Sequence, residues 1–452
     1  MNVNQSVHLK DNLLFSLDLS ALQCKTLDKR WDFTPNGSKF ITKYYSVLHL
    51  PLYSGNFIFH EGHNFLGTAM TKHVHLSFID TNFINTLTPV LDHNIDSDEI
   101  LYLIESQQQQ NLEDIKRVLG PRGVKVHHAF IPTSRDSDTL IDSFHQLIDT
   151  LISEQPDTQF VFNASCGDRQ HLLAMYEVIR AYPIECFIIE PERDELHWLV
   201  PTERVNTILA DKLKIRDFFN LIDGDITEIA NEGIVDIRYR QLGAKWATSQ
   251  TDFSHALAQL NYLAASSEDN ALISEPLSRS QMNSPSLQTL IDDLEDANIA
   301  TRQDDKLKFA NEGARFFANG GWLEEYVYAT LLSLKKELTI LQDVAQGVAI
   351  KRRVGQGYVN NELDIVALAN NKLHLIECKT KKFSKGEGNQ VIYKLDSLSE
   401  LFGGVQARGL LVSYQGIRTS ERLRAKALEI GLICEDDLSQ LKDRLRNWLR
   451  GA

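Results

Sequence analysis

Residues 362–379 read ELDIVALANNKLHLIECK. Two apolar runs of strand length flank Asn370-Asn371, a turn pair, so the segment reads as a hairpin. In the second run Glu377 and Lys379 stand two residues apart and project from one face, while Ile376 and Cys378 face the other way. Across the short hairpin Asp364 comes beside Glu377. Two acids and a lysine on one sheet face are costly unless a cation neutralises the acids. Oxygen ligands with open positions suit Mg²⁺ or Mn²⁺. Such an ion activates water and polarises a phosphoryl oxygen, while Lys379 orients the nucleophile or stabilises developing charge.

Upstream, the Gly320-Gly321 break opens an amphipathic helix, Trp322-Leu323-Glu324-Glu325-Tyr326-Val327. Glu324 is the further acid expected from it. Glu325 is adjacent, and the sequence does not settle which faces inward. Glu362 points to the same face as Asp364. Val348-Ala349-Ile350 and a Gly355-Gln356-Gly357 turn precede the hairpin, Tyr393-Lys394 lies on the next helical segment within reach of the site, and Leu410 to Tyr414 is a further core strand. A solvated hairpin with an incidental salt bridge would explain neither the apolar flanks nor the basic cluster Lys379, Lys381, Lys382, Lys385. That cluster, with Lys351-Arg352-Arg353, Arg418, Arg422 and Arg424, can track a phosphodiester backbone. Residues 320–452 carry 20 Lys and Arg against 16 Asp and Glu, a net of +4, whereas the whole 452-residue chain has a net charge of −14. The rear of the chain can therefore accept a nucleic-acid strand, whereas the acidic front is a poor surface for polyphosphate; ordinary charge fluctuation is an equal alternative.

From Val74 onward strands and helices alternate: strands at 74–79, 99–104, 124–131, 160–163 and 185–189, with helices between them. This repetition implies a parallel, doubly wound α/β sheet, whose ligands bind outside the carboxyl ends of the strands. The residues at those ends are polar. Asp80-Thr81-Asn82 follow the first strand, Pro132-Thr133-Ser134-Arg135 the third, and Asn163-Ala164-Ser165-Cys166-Gly167-Asp168-Arg169 the fourth. Backbone N–H groups at a helix start favour phosphate, and Arg169 can pair with phosphate or base. Simple helix capping by Ser165 and Asp80 is an equal alternative.

Residues 250–319 combine a polar stretch, a helix at 287–294 and a hairpin at 301–309, a winged-helix-like arrangement. Asp292, Asp293, Glu295, Asp296, Asp304 and Asp305 make it acidic, so a connector or dimerisation role is expected rather than DNA reading. Residues 1–72 read as a short β-rich extension, in which His60-Glu61-Gly62-His63 is a loop and not H-E-x-x-H. Five scattered cysteines without a C-x-x-C pair argue against a zinc ribbon or disulfide framework. No apolar run spans a bilayer and no secretory signal is read at the start, so a cytoplasmic protein with no membrane partner is expected.

The order of Glu-bearing helix, E-L-D, apolar strand and E-C-K resembles the PD-(D/E)xK nuclease superfamily. From Val74 to the end, the chain resembles CRISPR-associated effectors that join a CARF sensor to such a nuclease. The stretches that carry the likeness are His75 to Asp80, Pro89 to His93, Asn163 to Gly167, Gly320 to Glu325, Glu362 to Asp364, and Glu377 to Lys379. The resemblance implies four parts: the extension 1–72, a Rossmann-like CARF sensor 73–245, a winged-helix-like connector 246–319, and a PD-(D/E)xK nuclease domain 320–452. It implies a homodimer that binds a cyclic oligoadenylate, in the first place cyclic tetra-adenylate. Binding would activate cleavage of single-stranded DNA or RNA, or nicking of duplex DNA.

Asp364, Glu377, Lys379 and Glu324 are then the catalytic set, with Asp364, Glu377 and Cys378 at the metal (Mn²⁺ or Mg²⁺). Asp80, Thr81, Asn82, Ser134, Asn163, Ser165, Gly167, Asp168 and Arg169 are the ligand-binding set. The sensor loop departs from the family's N-x-T-G-G-T-K at Ser165, Cys166, Asp168 and Arg169. Asp168 adds negative charge, which leaves the ring size open. A nucleotide-responsive regulator without nuclease activity is the alternative, and it gives the two acids and the lysine no role. A sensor that slowly cleaves its own ligand is a third possibility, on which the spacing is silent.

Overall fold

The alternation from Val74 onward becomes a seven-stranded sheet. The structure, a computed structural model, describes residues 72–79, 84–92, 95, 97–191, 193–209, 213–222, 224–354, 357–404 and 407–451. The extension 1–71, the loop residues Asp80, Thr81 and Asn82, and the Gly355-Gln356 turn lie outside the described residues.

The first unit runs β1 (Lys72–Phe78), α1 (Ile84–Leu91), β2 (Glu99–Ile104), α2 (Gln109–Leu119), β3 (Lys125–Phe130), α3 (Ser137–Glu154), β4 (Thr158–Asn163), α4 (Arg169–Ile179), β5 (Glu185–Glu190), β6 (Glu195–Val200), β7 (Thr207–Ile208) and α5 (Ile215–Leu221). Its strand order is β3-β2-β1-β4-β5-β6-β7. The first five strands in sequence are parallel, and β6 and β7 antiparallel. Every residue of β2 is buried, as expected of a parallel strand covered on both faces. Strand order reverses between β1 and β4, where Ser77 pairs with Asn163. That edge is the switch point at which open α/β sheets hold ligands.

The remaining elements are β8 (Gly224–Asn231), α6 (Ile237–Thr248), α7 (Gln250–Ala265), α8 (Arg279–Met282), α9 (Pro285–Asp296), β9 (Ala300–Gln303), β10 (Lys306–Phe309), α10 (Glu312–Phe316), α11 (Trp322–Lys335), β11 (Leu341–Val354), β12 (Gly357–Ala369), β13 (Lys372–Lys379), α12 (Glu387–Gly403), β14 (Ala407–Ser413), α13 (Thr419–Ala427), β15 (Gly431–Cys434) and α14 (Leu441–Arg450). The second large sheet has the order β15-β14-β13-β12-β11-β8. Its edge strand β8 pairs antiparallel with β11, so this sheet draws a strand from the 73–245 segment.

The 246–319 segment does not stand apart either. One apolar cluster includes Trp246, Leu257, Leu290 and Phe317 together with Trp322, Ile376, Val412 and Leu449. Part of the acidity of this segment is used internally. Asp293 takes Lys245 at 2.6 Å and the Trp246 indole N–H at 2.9 Å, while Asp292 and Glu295 both grip Arg302 on the β9–β10 hairpin. A second cluster includes Ile100 on β2 of the first sheet, Leu112 on α2, Phe218 and Phe219 on α5, and Val348 and Leu411 in the second sheet. Helix α5 is thus the apolar joint between the two sheets. Each such fully buried aromatic contributes about 1.5–3 kcal/mol of transfer free energy.

Candidate active site

Ile365 pairs with Ile376, and β13 then runs on beside β14, pairing Glu377 with Leu411 and Lys379 with Ser413. Meanwhile β12 stays with β11. Asp364 and Glu377 therefore flank the point where β12 and β13 part. Asp364 is half-buried, and its Oδ2 accepts the Cys378 N–H at 2.8 Å and lies 3.4 Å from Lys379 Nζ. Glu377, 5% exposed, meets Lys379 at 2.8 Å and Lys394, on α12, at 3.1 Å. Lys394, which the sequence placed within reach, does arrive.

The third acid comes from α11. Gly320, at φ +108°, breaks the chain before this helix, and a Cβ there would lie 2.5 Å from Thr380 Oγ1. Glu324 and Glu325 both fall in the first turn, where the helix dipole favours negative charge. Glu324 is the one that faces the site: burial, and then the Asp364 charge, push its carboxyl up to about 9. Glu325 turns instead to Gln346, whose Nε2 donates to it at 3.3 Å. Burial and Glu377 also raise Asp364. Burial alone would lower Lys379, but Asp364 and Glu377 hold it above the ordinary lysine range.

This donor set has the all-oxygen chemistry that suits a hard divalent cation, although its ligand atoms are not drawn within 4.8 Å of one another. Three carboxylates converge, and two of them are pushed toward protonation by burial and by neighbouring negative charge, the imbalance that a cation relieves. The Glu377 oxygens are engaged by Lys379 and Lys394. Among the described residues, three ligand atoms within 4.8 Å of one another occur only at Glu190, Glu195 and His197, on the first sheet. Cys378 is not suited as a thiolate ligand. Its side chain sits in the apolar core and burial raises its thiol well above the ordinary range. What Cys378 gives the site is its backbone N–H.

The basic cluster is partly self-paired. Lys381 meets Glu387 at 2.7 Å, Arg422 meets Glu435 at 3.1 Å, and Arg418 lies 3.6 Å from Glu421. Lys382 and Lys385 are exposed. Two cations stand over exposed aromatic rings, Lys351 at 4.3 Å from Tyr358 and Arg424 at 5.1 Å from Tyr393.

At the sensor edge the expected residues mostly build the loop. Asn163, 1% exposed, donates from Nδ2 to Asn85 O at 2.7 Å and accepts the Ser165 N–H at 3.0 Å. Ser165 Oγ accepts the Ile189 N–H at 2.7 Å. Gly167 has φ +115°, and a Cβ there would sit 2.6 Å from Phe78 Cβ, so glycine is required. Asp168 caps α4 through the Gln170 N–H and pairs with Arg135 at 3.0 Å. Ser134 Oγ accepts the Asp136 N–H. Arg169 is exposed.

Beside this loop lies a cavity of about 400 Å³. Phe78, Ile79, Leu103 and Ile131 wall it, and Glu105, Asn111, Asp168 and His171 give it polar groups. His171 is 2% exposed and its Nε2 has no hydrogen-bond partner among the described residues. The sequence reading missed Glu105, Asn111 and His171, because four separate segments meet there and no local spacing marks them.

A parallel switch-point sheet with a polar cavity, joined to a mixed sheet bearing three acids and a lysine, defines a two-part protein of sensor and nuclease type. Residues 311–452 match the family described as Card1-like, endonuclease domain. The protein VC1899 from Vibrio cholerae is 35% identical, the match covering 84% of this chain and 98% of that one, with a TM-score of 0.78. Can2 from Sulfobacillus thermosulfidooxidans, solved in complex with cyclic tetra-adenylate, is 21% identical over 83% of this chain and 99% of that one, with a TM-score of 0.67. No functionally curated protein sequence matches. The chain belongs to the CARF-domain nuclease effector family, and it carries a Card1-like endonuclease domain. No helix among the described residues is long and apolar enough to cross a membrane.

Proposed function

We propose that this protein is a nuclease activated by a cyclic oligoadenylate, which hydrolyses phosphodiester bonds in single-stranded DNA or RNA and nicks duplex DNA. The observation that carries the reading is the convergence of Glu324, Asp364, Glu377 and Lys379 from α11, β12 and β13 at the point where the two strands diverge. In this reading the centre is of the PD-(D/E)xK kind, and Glu324, Asp364 and Glu377 hold Mn²⁺ or Mg²⁺. When bound, that ion would lower the pKa of water and polarise a phosphoryl oxygen. Lys379, kept cationic by the acids beside it, orients the attacking water and stabilises charge developing on the phosphate. Exposed Lys382 and Lys385, with the rings of Tyr358 and Tyr393, offer the strand phosphate and base contacts.

The activator binds, in this reading, at the sensor edge of a homodimer, across the loop Asn163 to Arg169 and into the cavity lined by His171. Can2 shares the fold and was solved with cyclic tetra-adenylate, so that ring is the first to test. Fluorescent single-stranded DNA, single-stranded RNA and supercoiled plasmid, each with Mn²⁺ and with cyclic tri-, tetra- or hexa-adenylate, form the experiment. Cleavage that appears with one ring size and disappears in Glu377→Ala is expected. Ligand binding without cleavage under any condition would move the protein to the regulators.

A further inference from the structure

The turn that joins the two catalytic strands is held by the sensor unit. Asn370 and Asn371 both take left-handed backbone, at φ +47° and +53°, a conformation that asparagine tolerates better than most residues. Asn371 is 1% exposed. Its Nδ2 donates to Asp194 Oδ2 at 2.9 Å, its Oδ1 accepts from Gln342 Nε2 at 2.7 Å, and its N–H donates to Gln342 Oε1 at 2.7 Å. Asp194 is the left-handed turn residue between β5 and β6, 5% exposed, and its carbonyl accepts the Leu209 N–H at 2.9 Å. Gln342 Nε2 also lies 3.3 Å from Leu213 O, just before α5.

Both ends of this contact lead to a site. On the sensor side, β5 is stitched to the loop Asn163 to Arg169 by Ser165 Oγ on Ile189 N–H and by Ala164 N–H on Phe187 O, at 2.8 Å. Asp194 closes the hairpin that this strand opens. On the nuclease side, Asn371 stands between β12, which carries Asp364, and β13, which carries Glu377. The apolar packing around α5 also joins the units, but apolar contact is non-directional. A residue that spends both ends of its side-chain amide and its backbone N–H on two named partners has a fixed orientation, and breaking one of these bonds leaves a buried polar group unsatisfied.

Resting on the nuclease reading above, we infer that Asn371 is a positioning residue. Through its bond to Asp194, the β5–β6 hairpin of the sensor sets how Asp364 and Glu377 approach each other. Ligand seated on the loop Asn163 to Arg169 acts on the catalytic strands by this route, without any contact of its own to the nuclease centre.

The test uses the full-length chain with cyclic tetra-adenylate and a fluorescent single-stranded oligonucleotide. Asn371→Asp sets two carboxylates against each other, and adding Asp194→Asn restores one donor and one acceptor with the roles exchanged. The single variant is expected to lose about tenfold or more in ligand-stimulated kcat, with KM and oligoadenylate affinity within about twofold of the parent. The double variant is expected to recover. Should Asn371→Asp not fold, Asp194→Ala removes the acceptor without adding charge and carries the same expectation.

Stimulation equal to the parent in a folded single variant would overturn the inference alone. So would parallel losses of kcat, KM and ligand affinity, which mark a merely structural role. A parent protein that cleaves equally well without ligand would keep the nuclease but remove the gating, and this inference with it, whereas cleavage that persists in Glu377→Ala would overturn the nuclease centre on which the inference rests.

Discussion

Lys394 Nζ lies 3.1 Å from Glu377 Oε2 and 3.2 Å from Oε1, and Lys379 Nζ also reaches Oε1, at 2.8 Å. One lysine comes from the next helix and the other from the same strand, so the carboxylate is neutralised twice while Asp364 and Glu324 repel each other nearby. A cation entering this site competes with Lys394 for Glu377. Lys394→Met is therefore expected to lower the Mn²⁺ concentration for half-maximal cleavage by about three- to tenfold, as removal of one nearby positive charge implies. A titration of cleavage rate against Mn²⁺ measures it, and an unchanged or higher requirement would show that Lys394 does not compete.

Glu324 is half-buried beside the charges of Asp364 and Glu377, so the metal-free protein bears a strain that serves the site. Glu324→Gln keeps the shape and removes the repulsion. It is expected to raise the metal-free melting temperature by about 2–4 °C while cutting metal-dependent cleavage by about a hundredfold or more. Thermal melts with and without EDTA, alongside cleavage assays, separate the two effects. A lower melting temperature would count against the repulsion.

Two residues of the sensor loop separate shape from contact. Asn163 is buried and spends both ends of its amide on Asn85 and Ser165. Asn163→Ala is expected to cost about 1–3 kcal/mol of stability and to weaken oligoadenylate binding as a consequence. Arg169 is exposed, and Arg169→Ala is expected to leave the melt unchanged while weakening binding about tenfold. Calorimetry of each variant with cyclic tetra-adenylate decides. Unchanged affinity in Arg169→Ala would remove Arg169 from the ligand site.

His374 makes the fold acid-sensitive. It is fully buried on β13, its ring edge-on to Trp448 at 4.9 Å, and burial lowers its pKa to about 4. Its Nε2 has no hydrogen-bond partner among the described residues. In the unfolded chain the same imidazole titrates near 6.5. The folded state thus stays neutral where the unfolded state takes a proton. The associated stability is fully present above pH 6.5 and is lost as pH falls from about 6.5 to about 4, up to about 3 kcal/mol. Urea unfolding at stepped pH should show a flatter dependence across that window for His374→Leu than for the parent, and identical slopes would refute the assignment.

Much of the architecture was legible because its signals are local. The run 99–104 reads as a strand and is one, since six consecutive apolar-rich residues fit a doubly covered parallel strand. The Asn370-Asn371 turn was readable for the same reason, as was the approach of Lys394 one helix later. The departures arose where distant segments meet. Strand β8 is drawn into the second sheet by pairing with the edge of β11 that β12 leaves open. The acids of α9 are partly absorbed by Lys245, Trp246 and Arg302, which no charge count along the chain reveals.

By itself the sequence determined which residue types stand at each strand end and helix start: the acid-acid-lysine order of the hairpin, the Glu pair after the glycine break, the polar loops of the parallel sheet. Only the tertiary structure decided that Glu324 rather than Glu325 faces Asp364, that Cys378 supplies a backbone N–H, that His171 and Glu105 share a cavity, and that Asp194 holds Asn371. The physical reason is that periodicity and turn chemistry act over a few residues, whereas burial, charge repulsion and hydrogen-bond satisfaction depend on whatever the folded chain brings alongside.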